Sequence, residues 1–279
     1  MRSGAAAVVC GLLLAGCTES GEPSATGRPS ASRAAEGGAA PSGSATASAE
    51  GPTQRADPAK LPATPGAARA LIRRVIADEG TVGDGARRGT PYESDPGTWA
   101  VLGEDCAWRR AALRGDVLAN LRRNFEVPGA DGAAGLRLSA EVTVHRTTLD
   151  AAWEQARMQE EAIQCPEQTL GAGERLTDLT SSTYAWGEGN NTYSDDSLIE
   201  SGRCVGETRG GPRPYWWIQA TFGPVVVSAS LCGGTERARD ASVDLVQTYF
   251  TRMLRNVKDA IARPAGAPAP TASGGRGGA

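Results

Sequence analysis

An α+β fold, with an antiparallel sheet packed against helices and closed by two disulfides, is what the sequence predicts. Three observations carry that class. Apolar and polar residues alternate strictly from Leu136 to His145, two strands match each other around Gly223-Pro224, and apolar stripes of helical period lie on either side of them.

The elements follow in order. Ala68, Leu71, Ile72, Val75 and Ile76 recur at helical spacing within 66–79, with Arg69, Arg73 and Arg74 elsewhere on the wheel, which predicts a helix. Residues 80–98 are rich in Gly, Pro and Asp and read as loop. A strand is expected around Trp99–Leu102 or Cys106–Arg110, and a short helix around Asp116–Phe125, stopped by Pro128. Leu136, Leu138, Ala140, Val142 and Val144 then alternate with Arg137, Ser139, Glu141, Thr143 and His145. That pattern is a strand with one wet face, and it places the chain's only histidine on the exposed side.

Thr147-Thr148-Leu149-Asp150 has the spacing of a capping box, so a helix starts there and ends at Cys165-Pro166. Leu149, Ala152, Trp153, Ala156 and Ile163 share one sector of its wheel and are expected to pack on the sheet. Residues 166–197 read as a long irregular segment. Within it Asn190-Asn191-Thr192 matches a glycosylation triplet by chance, and Asp195-Asp196 reads as a solvated turn, since no loop of alternating oxygen ligands surrounds it.

A strand over 198–208 carries Cys204 and leads through Gly210-Gly211-Pro212 into a hairpin from Tyr215 to Cys232. Gly223 suits the positive φ of a II′ turn. In that register Phe222 faces Val225, Ala220 faces Val227, Ile218 faces Ala229 and Trp216 faces Leu231, and a slip of one residue destroys every match. The other face sets Tyr215, Trp217, Gln219 and Thr221 against Cys232, Ser230, Ser228 and Val226. A long helix then follows Thr235 as N-cap, with Val243, Val246, Tyr249, Phe250, Met253, Val257 and Ile261 on one stripe.

The N-terminus supplies an address. Arg2 precedes an apolar run from Ala5 to Leu14 that is too short to span a bilayer, and the run closes on Leu14-Ala15-Gly16-Cys17. Those four residues resemble the bacterial lipobox, which implies diacylation of Cys17 and cleavage after Gly16. Two acyl chains suffice for stable membrane anchoring. Residues 1–16 are then a signal peptide and 17–63 a lipidated disordered linker, lacking aromatics and rich in Ala, Ser, Gly and Pro. Its flexible-coil reach is roughly 40 Å. A single domain is expected over 64–262 and a loose tail over 263–279.

The 279 residues carry a formal charge of −3 and a pI near 5.4, with no basic stripe, which argues against nucleic acid as a partner. Setting aside Cys10 and Cys17 leaves Cys106, Cys165, Cys204 and Cys232, an even number that reads as two disulfides in an exported domain. Short loops favour Cys106–Cys165 and Cys204–Cys232. The second bond requires the Cys204 strand to lie beside the Val225 strand, or Cys204 to lie beyond the ladder. Otherwise two strand spacings, about 9.6 Å, separate the pair.

No nucleophile–base motif occurs, and one histidine leaves little room for metal or triad chemistry, so the chain reads as a non-enzyme without metal or cofactor. The candidate ligand residues are Tyr215, Trp217 and Gln219, on the polar face of the hairpin. Helix 149–165 or segment 166–197 could instead cover them.

Trp153 twelve residues before Cys165, and Val225-Val226-Val227-Ser228-Ala229-Ser230-Leu231-Cys232 leading into a long C-terminal helix, resemble the extracellular sensor domain of mycobacterial serine/threonine receptor kinases and lipoproteins that share it. More broadly the chain is similar to actinobacterial lipoproteins. The resemblance implies an α+β domain with two disulfides and a cleft. The function expected is a membrane-anchored, extracytoplasmic binding or sensing module for a small molecule or an envelope protein. The alternatives are a structural accessory of an envelope complex and a hydrolase.

Overall fold

A computed structural model describes residues 54–129, 135–171, 173–185, 193–207 and 210–264. The signal peptide, Cys17, the linker up to residue 53, the Asn190-Asn191-Thr192 triplet and the tail from 265 lie outside the described residues.

The sheet's centre forms as its sequence dictates. β9 (Gly210–Phe222) and β10 (Val225–Gly233) pair as Phe222–Val225, Ala220–Val227, Ile218–Ala229 and Trp216–Leu231, joined by Gly223 at φ 57°. β10 also pairs with β5 (Leu136–His145), opposing Val227 to Val142 and Leu231 to Leu138. The three strands thus present one continuous apolar face. α1 (Pro65–Val75, capped by Thr64) and α4 (Arg239–Ile261) cover it with Leu71, Ile72, Val246, Phe250, Met253 and Val257. Tyr249 crosses this core and its hydroxyl donates to the carbonyl of Ser139 at 2.8 Å, where β5 meets β10. Thr235 holds the N-cap position of a short 3-10 turn, Glu236–Ala238, without a side-chain capping bond, and α4 proper starts one turn later.

Three expectations are corrected. The segment 116–125 is not helical: β4 (Val117–Val127) is a strand between β5 and β1 (Arg87–Glu93), the latter inside the expected loop. Val117 to Leu121 are all buried, and beyond a bulge at the start of the strand Ala119, Leu121 and Phe125 face Val144, Val142 and Leu138 on the apolar side, a period of two that a helical reading obscures. Both candidate strands before it exist, as the hairpin of β2 (Thr98–Leu102) and β3 (Trp108–Ala112). The described residues of 166–197 are largely strand: β6 (Gln168–Gly171) and β7 (Glu174–Ala185) form one edge of the sheet, next to β8 (Asp196–Gly206). Their Thr and Ser residues suit a sheet margin, and Leu176 is a fully buried apolar side chain within it. A short α2 (Glu79–Val82) precedes β1. The full order is β1-β4-β5-β10-β9-β8-β7-β6, antiparallel throughout and curled.

The packed domain also begins before 64. Ala56 bridges Ala262, the Asp57 amide donates to Ile261 O, and Lys60 Nζ donates to Ala262 O at 2.7 Å. Ala56, Asp57 and Lys60 thus contact the end of α4 from within the range expected to be linker.

Both disulfides form with the favoured pairing. β8 lies on the far side of β9 from β10, yet Cys204 reaches Cys232 with Cα atoms 5.9 Å apart. Cys204 pairs with Arg213, beyond Tyr215–Cys232, the last β9–β10 pair, so the end of β8 curls past the ladder. Cys106–Cys165 ties the β2–β3 hairpin to the end of the following helix, beside the Ala107–Thr169 bridge and a hydrogen bond from Trp108 Nε1 to Gln168 Oε1 at 2.7 Å. Replacing Cys106 and Cys165 together by Ala is expected to cost about 2–4 kcal/mol in denaturant unfolding. Hydrogen exchange should rise first in β2, β3 and β6.

Candidate functional site

The face of the sheet opposite α1 and α4 is polar. Residues paired across it point the same way, so Asn120, Thr143, Val226, Thr221 and Glu141, Ser228, Gln219, Leu198 form cross-strand rows, and Ser139, Ser230, Trp217 and Glu200 form another, with Val226 and Leu198 as buried apolar members. A single long helix, α3 (Thr148–Gln164), crosses this face. Its capping box is present as expected, with Thr147 Oγ1 accepting from Asp150 N and the Asp150 carboxylate accepting from Thr147 N.

Its rotation is the reverse of the expected one. α3 buries Ala151, Gln155 and Ala162, whereas Leu149, Trp153 and Ile163 are 66%, 57% and 73% exposed. Two constraints set this orientation. The sheet offers α3 polar groups: Gln219 Nε2 donates to Gln155 Oε1 at 2.9 Å, and His145 Nε2 meets Glu154 Oε2 at 2.5 Å. Cys165, bonded to Cys106, falls at 100° per residue on the same side as Ala151 and Ala162, so the bridge faces that side inward. His145 is accordingly not exposed: it is fully buried, with the Trp99 ring edge-on at 6.5 Å.

The candidate residues Tyr215 and Trp217 lie half-buried on this polar face, and Gln219 is sealed under α3 by its bond to Gln155. Burial pushes the Tyr215 hydroxyl far above the usual tyrosine range. The structure brings two carboxylates near them, Glu161 from α3, which beside Glu160 reads from sequence as a solvated acid, and Glu200 from β8, which carries no sequence signal. Burial pushes Glu161 up to about 7, against the pull of Arg157. Burial likewise lifts Glu200 to about 7, with repulsion from Glu161 adding and a hydrogen bond from Ser181 Oγ at 3.3 Å opposing. Glu161 Oε2, Gln155 Nε2, Arg157 Nη2 and His145 Nδ1 are buried without a hydrogen-bond partner among the described residues. Asp195, read as solvated, is half-buried, and its carboxylate accepts from Gly223 N at 2.7 Å.

Two clefts flank this layer. One, of about 350 Å³, lies beside Cys204–Cys232 and between Val127, Leu136, Arg137 and Arg213. The other, about 530 Å³ and open, is lined by Arg114, Gly115, Asp116, Asp150, Trp153 and Arg157 at the start of α3. Neither is lined by Tyr215, Trp217 or Gln219. Among the described residues no group of three or more His, Cys, Asp and Glu side chains is placed to hold a metal ion.

Both seam carboxyls titrate higher in the fold than the ordinary 4.5, so they favour the fold when protonated, and that gain is lost as pH rises through about 7. Glu200→Gln should therefore stabilise the protein at alkaline pH by about 1–3 kcal/mol, with the gain fading towards acid pH. Urea titrations at the two pH values check this, and a gain independent of pH would contradict it.

No family model matches the sequence, and no curated protein matches it. Among solved structures, the extracellular domain of PknH from Mycobacterium tuberculosis superposes with a TM-score of 0.39 at 13% identity, covering 72% of this chain and 99% of that one. An uncharacterized Mycobacterium smegmatis protein, the Rv0999 ortholog, superposes with a TM-score of 0.28 at 14% identity, covering 62% of this chain and 97% of its own.

Proposed function

We propose that this chain is an exported lipoprotein, held at the outer face of the cell membrane by acylation of Cys17, and that it is a binding or sensing module acting through the outer surface of α3. The observation that carries the reading is the rotation of that helix. It keeps Leu149, Trp153 and Ile163 in solvent while burying Gln155 and part of Glu161, and large exposed apolar groups aligned on one element mark interaction surfaces.

The sequence supports the address, through the lipobox-like Leu14-Ala15-Gly16-Cys17. Two disulfides suit an oxidising compartment, and no helix among the described residues is long and apolar enough to cross a membrane. Contact through an exposed ridge is favoured over capture of a small molecule at Trp217, which lines neither cleft. The reading assigns the chain no reaction: Glu161 and Glu200 sit beneath α3 rather than at either cleft.

Metabolic labelling with a palmitate analogue tests the address. The wild-type chain should take up label and fractionate with membranes, whereas Cys17→Ala should lose the label and most of its membrane association, since two acyl chains supply the anchoring energy. An unlabelled wild-type chain, or undiminished label on Cys17→Ala, would overturn the anchor.

A further inference from the structure

The chain enters the folded domain at a pole that also presents the start of α3. Arg55 O accepts from Arg263 N at 2.8 Å, and a Cβ at Gly223 would meet Ala56, so the entering segment lies against the β9–β10 turn. Pro224 O in that turn accepts from His145 N at 2.8 Å, and Arg146 N donates to Asp116 O at 2.9 Å. From there Thr147 opens α3, and Leu149 and Trp153 follow within two turns. Arg55, Arg114 and Arg146 are exposed at the same pole.

The open cleft lies here as well. Its two acids are already engaged: Asp116 pairs with Arg114 at 3.2 Å, and Asp150 belongs to the capping box of α3. Arg157 also lines the cleft, with its guanidinium 6.0 Å over the Trp99 ring and one buried nitrogen, Nη2, without a hydrogen-bond partner among the described residues. A cleft arginine, an exposed indole and an exposed leucine beside further arginines match the chemistry of a bilayer interface. There Trp sits at headgroup depth, apolar side chains enter the acyl boundary and Arg binds phosphate oxygens.

We propose that this pole docks on the phospholipid surface, with a headgroup phosphate held in the Arg114–Arg157 cleft and Leu149 and Trp153 entering the interface. The inference deepens the reading of an anchored module by naming what the first half of the α3 ridge contacts. Acylation would hold the pole close to such a surface, since the chain that bears Cys17 enters the domain at Arg55. Ile163, three turns farther along α3 and next to exposed Glu160, lies outside the docked region.

The test places photoreactive benzoylphenylalanine at position 149, 153 or 163 of the full-length chain in cells and identifies adducts by mass spectrometry. Positions 149 and 153 should yield phospholipid adducts roughly tenfold above position 163, and Arg157→Gln should lower them severalfold. Trp153→Ala, at an exposed site, should leave thermal stability nearly unchanged, which separates docking from folding. Protein adducts in place of lipid at 153 overturn the proposal in favour of a protein partner, and equal lipid labelling at 163 overturns it as nonspecific contact. If Cys17 proves unmodified, the same label at 153 is read on purified chain mixed with phosphatidylglycerol vesicles. Adducts there uphold docking without the anchor, and their absence overturns docking too.

Discussion

The rest of the structure depends on the β5–β10–β9 ladder having two chemically unlike faces. Val142, Val144, Val227, Leu231 and Phe222 line one side, while Thr143, Glu141, Ser228, Gln219 and Thr221, with Val226 among them, line the other. The first face drives the main burial and draws in α1 and α4, as apolar area removed from water requires. The second cannot be covered by an apolar helix without stranding its polar groups, each of which costs free energy when buried without a partner. A helix laid across it must turn polar atoms inward. α3 does so, and its own apolar stripe is left to solvent.

This division explains where the sequence could be read and where it could not. The hairpin register was legible because both strands carry an apolar residue at every second position and only one alignment matches them. The capping box of α3 was legible for the same reason: it is a local hydrogen-bond exchange that needs no tertiary context. The rotation of α3 was not legible from its own wheel, because the stripe of Leu149, Trp153 and Ile163 obeys the usual rule for a buried face. A usable signal lay nearby in Cys165, whose bridge requires its side of the helix to face inward. His145 was misread with it, since exposure depended on whether the polar face stayed wet.

β4, β6 and β7 were missed for different reasons. Val117, Ala119, Leu121 and Phe125 already alternate, but Leu118 and Arg123 interrupt the pattern enough to admit a helical reading. β6 and β7 carry only Leu170, Leu176, Leu179, Tyr184 and Ala185 as apolar residues, without strict alternation, and they are held by pairing with each other and, through β7, with β8. The carboxylates Glu161 and Glu200 were invisible as a pair because 39 positions of sequence separate them, and only the crossing of α3 over β8 brings them within repelling distance.

The meeting of Arg55 with Arg263 has an engineering consequence. A folded unit whose two ends leave side by side can be spliced into an exposed loop of a host protein without prying that loop apart. Such a graft would carry the domain with no lipid at all, presenting α3 on a rigid stalk.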